Sequence, residues 1–209
     1  MALFKKFFLC MFLLVTFQTV SYAETLDKVI AIVNSEPITQ NELNQQISIA
    51  KSQLQSAKQP VPSDSVLRKK VLDQLIDMKL QLQIAKKAHL SVSDTDLTKT
   101  IAGIAAKNNM TTDQLKSAIE AHNMNYADYR EQIRREIILS QVAQTQVVPT
   151  IKLSDAEVQQ EIAKLTKKGM KGDLEKKAKM ILLQKKYPEA MKNWIDQLRS
   201  QAYVKILSP

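Results

Sequence analysis

Few residues in this 209-residue chain have the type and spacing needed to make or break bonds. The two histidines, His89 and His122, have no second histidine or cysteine within a helical turn, so neither starts a metal set. Both fall near expected helix C-termini, where histidine caps or is solvated. The single cysteine, Cys10, sits in an N-terminal apolar run, and no thiol nucleophile remains once that run is removed. The patterns GxSxG, GxGxxG and the Walker loop are absent. A Ser/His/Asp triad needs no fixed spacing and stays open at this level. No catalytic residue, metal ligand or cofactor is expected, and no substrate-binding residue can be singled out.

What does stand out is charge. Residues 164–186 hold nine lysines against Asp173 and Glu175. Such a stretch suits an anionic partner, or it is a solvated, lysine-rich joint. It contains no arginine, the residue best shaped for bidentate phosphate contacts. Eight methionines raise the question of an adaptable apolar binding surface. Met1 and Met11 lie in the N-terminal segment, Met78 on a core stripe, and Met110 and Met124 at staple positions beside helix starts, so most are expected to be core or staple residues.

The N-terminus looks like an address. Lys5 and Lys6 precede an eleven-residue run, Phe7 to Phe17, apolar but for Thr16, and Ser21-Tyr22-Ala23 places cleavage between Ala23 and Glu24. Eleven residues at about 1.5 Å each span about half of a ~30 Å hydrocarbon core, so a cleaved signal peptide over 1–23 is expected rather than an anchor. The remaining chain has no cysteine and must be held by its core alone. An envelope compartment follows, most simply the periplasm, where nucleic acid is not an expected partner. Aromatic residues at 5% also argue against a stacking platform for single strands.

The elements can be placed from their start signals. Only 3 glycines argue against sandwiches and barrels and for a mainly α fold. Thr39 with Glu42, Ser93 with Asp96, Thr111 with Gln114, Asn125 with Asp128, and Ser154 with Glu157 each pair a capping residue with a polar N3 residue. They predict helices over about 40–58, 94–108, 112–121, 126–148 and 155–168. Leu67, Val71, Leu75, Met78, Leu82 and Ala85 predict a central helix over 64–87. Gly169 and Gly172 mark a break, followed by helices over 173–186 and 188–201, the latter with Pro188 in its first turn. The β-branched run at 28–33 is a buried strand, 34–37 a turn, and 202–207 a terminal strand. The two strands are expected to pair and tie the ends of the mature chain together.

These residues resemble the SurA family of periplasmic chaperones. The likeness starts at Asp27-Lys28-Val29 and Ala31-Ile32-Val33-Asn34, and continues at Ile38-Thr39, Glu42-Leu43 and Leu75-Ile76. It includes Asn108-Asn109-Met110-Thr111, Gln114-Leu115, Asn125-Tyr126, Tyr129-Arg130, Gln132-Ile133-Arg134 and Glu136. It ends with Trp194, Arg199 and Ala202-Tyr203-Val204-Lys205-Ile206-Leu207. The resemblance implies a helical chaperone core in which 24–168 is the N-terminal region and 169–209 supplies helices and a strand completing the same core. Proteins of this kind usually carry parvulin isomerase domains between those regions. Here the flanks join near 166–172, with no room for a domain of about a hundred residues. The implied function is therefore ATP-independent holding of unfolded outer-membrane β-barrel proteins, without isomerase activity. The outer-membrane assembly machinery is a further implied partner, and a homodimer by segment swapping is open. A divergent prolyl isomerase and a noncatalytic subunit of an envelope complex are the alternatives.

Overall fold

A computed structural model describes residues 27–121 and 124–207. The expected signal segment, with the expected cleavage pair Ala23 and Glu24, and His122 lie outside the described residues. The chain enters through β1 (Val29–Val33) and turns back into β2 (Glu36–Thr39). Seven α-helices follow among the described residues: α1 (Gln40–Ser56), α2 (Asp64–Lys87), α3 (Asp94–Lys107), α4 (Thr112–Ala121), α5 (Tyr126–Gln146), α6 (Asp155–Lys167) and α7 (Leu174–Gln201). A 3₁₀ turn at Val148–Thr150 separates α5 from α6, and β3 (Val204–Ile206) comes last. The fold is mainly α with one small sheet, as the sequence predicts.

The sheet is antiparallel, in the order β2-β1-β3. Ala31 faces Ile206 and Val33 faces Val204, so the two ends of the fold do pair. The expected turn over 34–37 is too long. Val33 pairs with Glu36, which leaves only Asn34 and Ser35 in the turn and makes Glu36–Thr39 a third strand. Pro37 obscured it, but a proline is tolerated on an edge strand, and β2 is one.

Asn34 sits at φ 56 and joins three elements. Its Nδ2 donates to Gln83 Oε1 on α2, and its Oδ1 accepts from the Tyr203 amide just before β3. Gln83 in turn donates to the Val33 carbonyl. His89, at φ 52, has a different role. It is the left-handed residue of a helix-ending motif in which the Leu90 amide reaches the Ala85 carbonyl at 2.9 Å. Lys58 and Asn109 end α1 and α3 in the same way. His89 therefore caps through its backbone. Two glycine substitutions should then move stability in opposite directions. His89→Gly relieves the left-handed penalty and should stabilise by up to about 1 kcal/mol. Asn34→Gly keeps the turn but loses two side-chain hydrogen bonds and should destabilise by about 1–2 kcal/mol. Urea midpoints of the two variants check this.

All five predicted start signals cap their helices. Thr39, Ser93, Thr111 and Ser154 accept from the amide three residues on. Gln114 and Glu157 reciprocate to the cap amide. Asn125 instead accepts from Ala127, one residue earlier than its pairing with Asp128 suggests. The predicted boundary at Pro188 is absent: α7 runs unbroken from Leu174 to Gln201 with Pro188 inside it. Pro188 and Gln184, whose carbonyl the proline leaves unpaired, are both exposed, so water can take the freed acceptor.

The apolar residues form three clusters. The largest joins Ile30, Ala31 and Val33 of β1 to Ile38 of β2, Leu43 of α1, and Leu67, Val71, Leu75, Ile76 and Leu80 of α2. The second joins Val92, Leu97 and Ile101 to Ile133 of α5. The third is the α6–α7 hairpin, holding Val158, Leu165, Ala178 and Leu182. A cation ties each region together. Arg199 near the end of α7 reaches Asp77 and the Asp73 carbonyl on α2. Arg134 on α5 reaches Asp94 and the Val92 carbonyl ahead of α3. Lys186 on α7 reaches Glu157 and the Lys152 carbonyl ahead of α6.

Candidate functional site

Chemistry needs polar groups held away from water, and this fold supplies none that stand out. Among the described residues no polar or charged residue is buried. No group of His, Cys, Asp and Glu there could hold a metal ion. The perturbed carboxylates belong to the inter-helix ties. The Lys186 ammonium, with the Ser154 amide and hydroxyl, holds Glu157 down to about 2. Hydrogen bonding and charge from Arg134 hold Asp94 below the usual carboxylate range. Both are explained by structural ion pairs rather than by a reacting group. His89 lines an open depression of about 600 Å³ between the loop after α2 and the Ser140–Thr145 face of α5. That depression offers exposed amides and hydroxyls, with no nucleophile–base pair.

What the fold does offer is an apolar stripe. On α7, Leu183, Tyr187, Met191, Trp194 and Ile195 are half-buried and recur at three- and four-residue spacing on one helical face. They lie between the hairpin cluster and the main core, where α7 passes the 3₁₀ turn and α2. Partial burial pushes the Tyr187 phenol above its ordinary range. Met180 and Ile181, earlier on the same helix, are 59% and 38% exposed. Trp194, Tyr187 and Met191 combine large apolar area with adaptable geometry, which suits reversible cover of unrelated apolar segments.

Sequence reasoning singled out no binding residue, and it missed this stripe for a definable reason. Placing a helix boundary at Pro188 splits the repeat at 183, 187, 191 and 194 between two short helices. Read through the proline, the spacing would have revealed it. The methionines divide. Met78 packs against the main core, as expected. Met110, expected as a staple residue beside a helix start, is 40% exposed.

Comparison with known proteins agrees with this architecture. The model of the SurA N-terminal domain matches residues 26–143, which runs from before β1 to near the end of α5. The chaperone SurA of Chromohalobacter salexigens is 40% identical over 136 residues, covering 65% of this chain and 31% of that protein. Chaperone SurA of Legionella pneumophila (strain Philadelphia 1) is 37% identical over 147 residues, covering 69% of this chain and 34% of that protein. This chain therefore spans about a third of the length of the curated relatives it matches. A solved structure from a study of PEB4 and Cj1289, two SurA-like chaperones of Campylobacter jejuni, superposes with a TM-score of 0.59 at 13% identity. It covers 88% of this chain and 100% of its own, a likeness of fold alone. With more than half its length matched by that family model, the chain belongs to the SurA N-terminal domain family.

Proposed function

We propose that this protein is an ATP-independent periplasmic chaperone that holds unfolded outer-membrane β-barrel proteins on their way to assembly. The observation that carries this is the family match over residues 26–143. The α7 stripe supplies a physical means. Unassembled barrel strands carry alternating apolar side chains and unpaired edges that aggregate in water. Covering about 400 Å² of apolar surface at ~25 cal/mol per Å² gives at most ~10 kcal/mol before ordering costs, so binding is micromolar and releasable without a nucleotide. Residues 24–168 act as the N-terminal chaperone region, and 169–209 complete the same core. Transfer to the outer-membrane assembly machinery is the natural next step. Exchange of β3 between copies would give a homodimer, because the strand lies at an edge of the sheet.

Isomerase activity is not part of the proposal. The described residues joining α6 to α7 are a short turn, and no buried polar cluster accompanies them. Two measurements separate the readings. Light scattering of a denatured porin diluted from urea should fall when the mature protein is added at a few-fold excess. An unchanged scattering curve rejects holding. A proline-isomerisation assay on a short peptide should match the buffer rate, and acceleration would favour a divergent isomerase.

A further inference from the structure

The α6–α7 hairpin packs principally on itself, with its own small cluster, and its far end is the turn from Lys168 to Asp173. Seven lysines gather there: Lys164, Lys167, Lys168, Lys171, Lys176, Lys177 and Lys179. Local pairing engages only some of them. Lys164 meets Glu161, and Lys179 meets Glu175. Asp173 caps α7 through the Lys176 amide. Among the described residues, Lys167, Lys168, Lys171 and Lys176 are exposed and meet no carboxylate. The helix dipole accounts for Lys164 and Lys167, which lie in the last turn of α6. It disfavours Lys176 and Lys177, which lie in the first turn of α7, at its positive end. Asp173 at the cap and Glu175 in the first turn offset part of that cost, and an external anion would offset more.

The apex carries one apolar side chain, Met170. Met170 is 40% exposed and sits in a turn set by Gly169 at φ 72 and Gly172 at φ 94. Lys177 Nζ donates to the Lys171 carbonyl at 2.7 Å and fixes the turn's second half. A partly exposed apolar side chain in a lysine-rich turn suits the boundary of a bilayer, where cations meet headgroups and a thioether can enter the acyl margin. The absence of arginine fits a diffuse charged surface better than one bidentate phosphate. We propose that the turn joining α6 to α7 docks the protein on an anionic phospholipid surface. This goes beyond client holding and does not depend on it.

The test is co-sedimentation of the mature chain with vesicles of phosphatidylcholine alone, or with roughly a third phosphatidylglycerol. Binding should be at least about tenfold stronger on the anionic vesicles and should collapse near ~0.5 M salt, where the screening length is only a few ångströms. Replacing Lys167, Lys168, Lys171 and Lys176 with glutamine should weaken anionic-vesicle binding about tenfold. Replacing Lys69, Lys70, Lys99 and Lys107 changes the net charge equally on α2 and α3 and should retain most of the binding. Met170→Ser should weaken binding severalfold with the salt dependence unchanged. Equal loss in the two lysine sets, or no preference for anionic vesicles, overturns the proposal. So does competition by millimolar inorganic phosphate, which would mean a discrete anion site. Both lysine sets are exposed, and unchanged circular dichroism confirms intact helices.

Discussion

A chain truncated after Gln201 should melt about 10 °C below the same protein carrying residues 202–209. The loss follows from what the last residues hold. The Tyr203 carbonyl accepts from the Asn34 amide at 2.7 Å, and the Leu207 amide donates to the Ile30 carbonyl at 2.8 Å. Between them run the β1–β3 ladder and the packing of Ala202 and Val204 on the main core. At about 1 kcal/mol net for each hydrogen bond, plus the apolar area, roughly 3–5 kcal/mol disappears. A 1 kcal/mol loss lowers the melting point by roughly 2–4 °C at this size. The Tyr203 ring is 59% exposed, so Tyr203→Ala keeps the ladder and should melt close to wild type. If the truncated chain melted with the full-length one, the strand pairing would carry no stability.

Leu182→Ala should have a comparable but local effect. Leu182 is 7% exposed in a cluster whose other fully packed members are Val158, Leu165 and Ala178. Truncating it removes about 2–4 kcal/mol from a hairpin with little else to hold it. The hairpin should therefore open while the main core persists. Amide exchange over residues 155–182 should accelerate more than a hundredfold (roughly 3 kcal/mol), whereas that of residues 67–80 on α2 should not change. Equal acceleration in both would mean the clusters unfold as one unit. Because the hairpin carries both the lysine-rich turn and the exposed Met180 and Ile181, its separate stability governs how those surfaces are presented.

Local rules carried most of the fold. Capping residues act within one turn, so Thr39, Ser93, Thr111, Asn125 and Ser154 announce their helices without tertiary help. The long stripe of α2 is equally local, and its burial follows from its width. The pairing of β1 with β3 was expected only because neither strand could stand alone. Proline misled twice. Pro37 read as a turn but lies on an edge strand, and Pro188 read as a helix start but lies on a solvated face. Both depend on exposure, which the surrounding fold decides. The apolar stripe on α7 was hidden by the second of these readings. The three ties through Arg134, Lys186 and Arg199 span tens of residues and leave no periodic trace.

The central strand of the sheet lies near the start of the fold, and one of its two neighbours is separated from it by about 170 residues, as the Tyr203–Asn34 contact shows. As the chain lengthens from its N-terminus β1 and β2 can form their hairpin at once, but β1 keeps an unsatisfied side until the seven described helices have followed. Loop closure over such a span is slow. A partly completed chain therefore presents a receptive strand edge of its own, and only the arrival of Val204–Ile206 retires it.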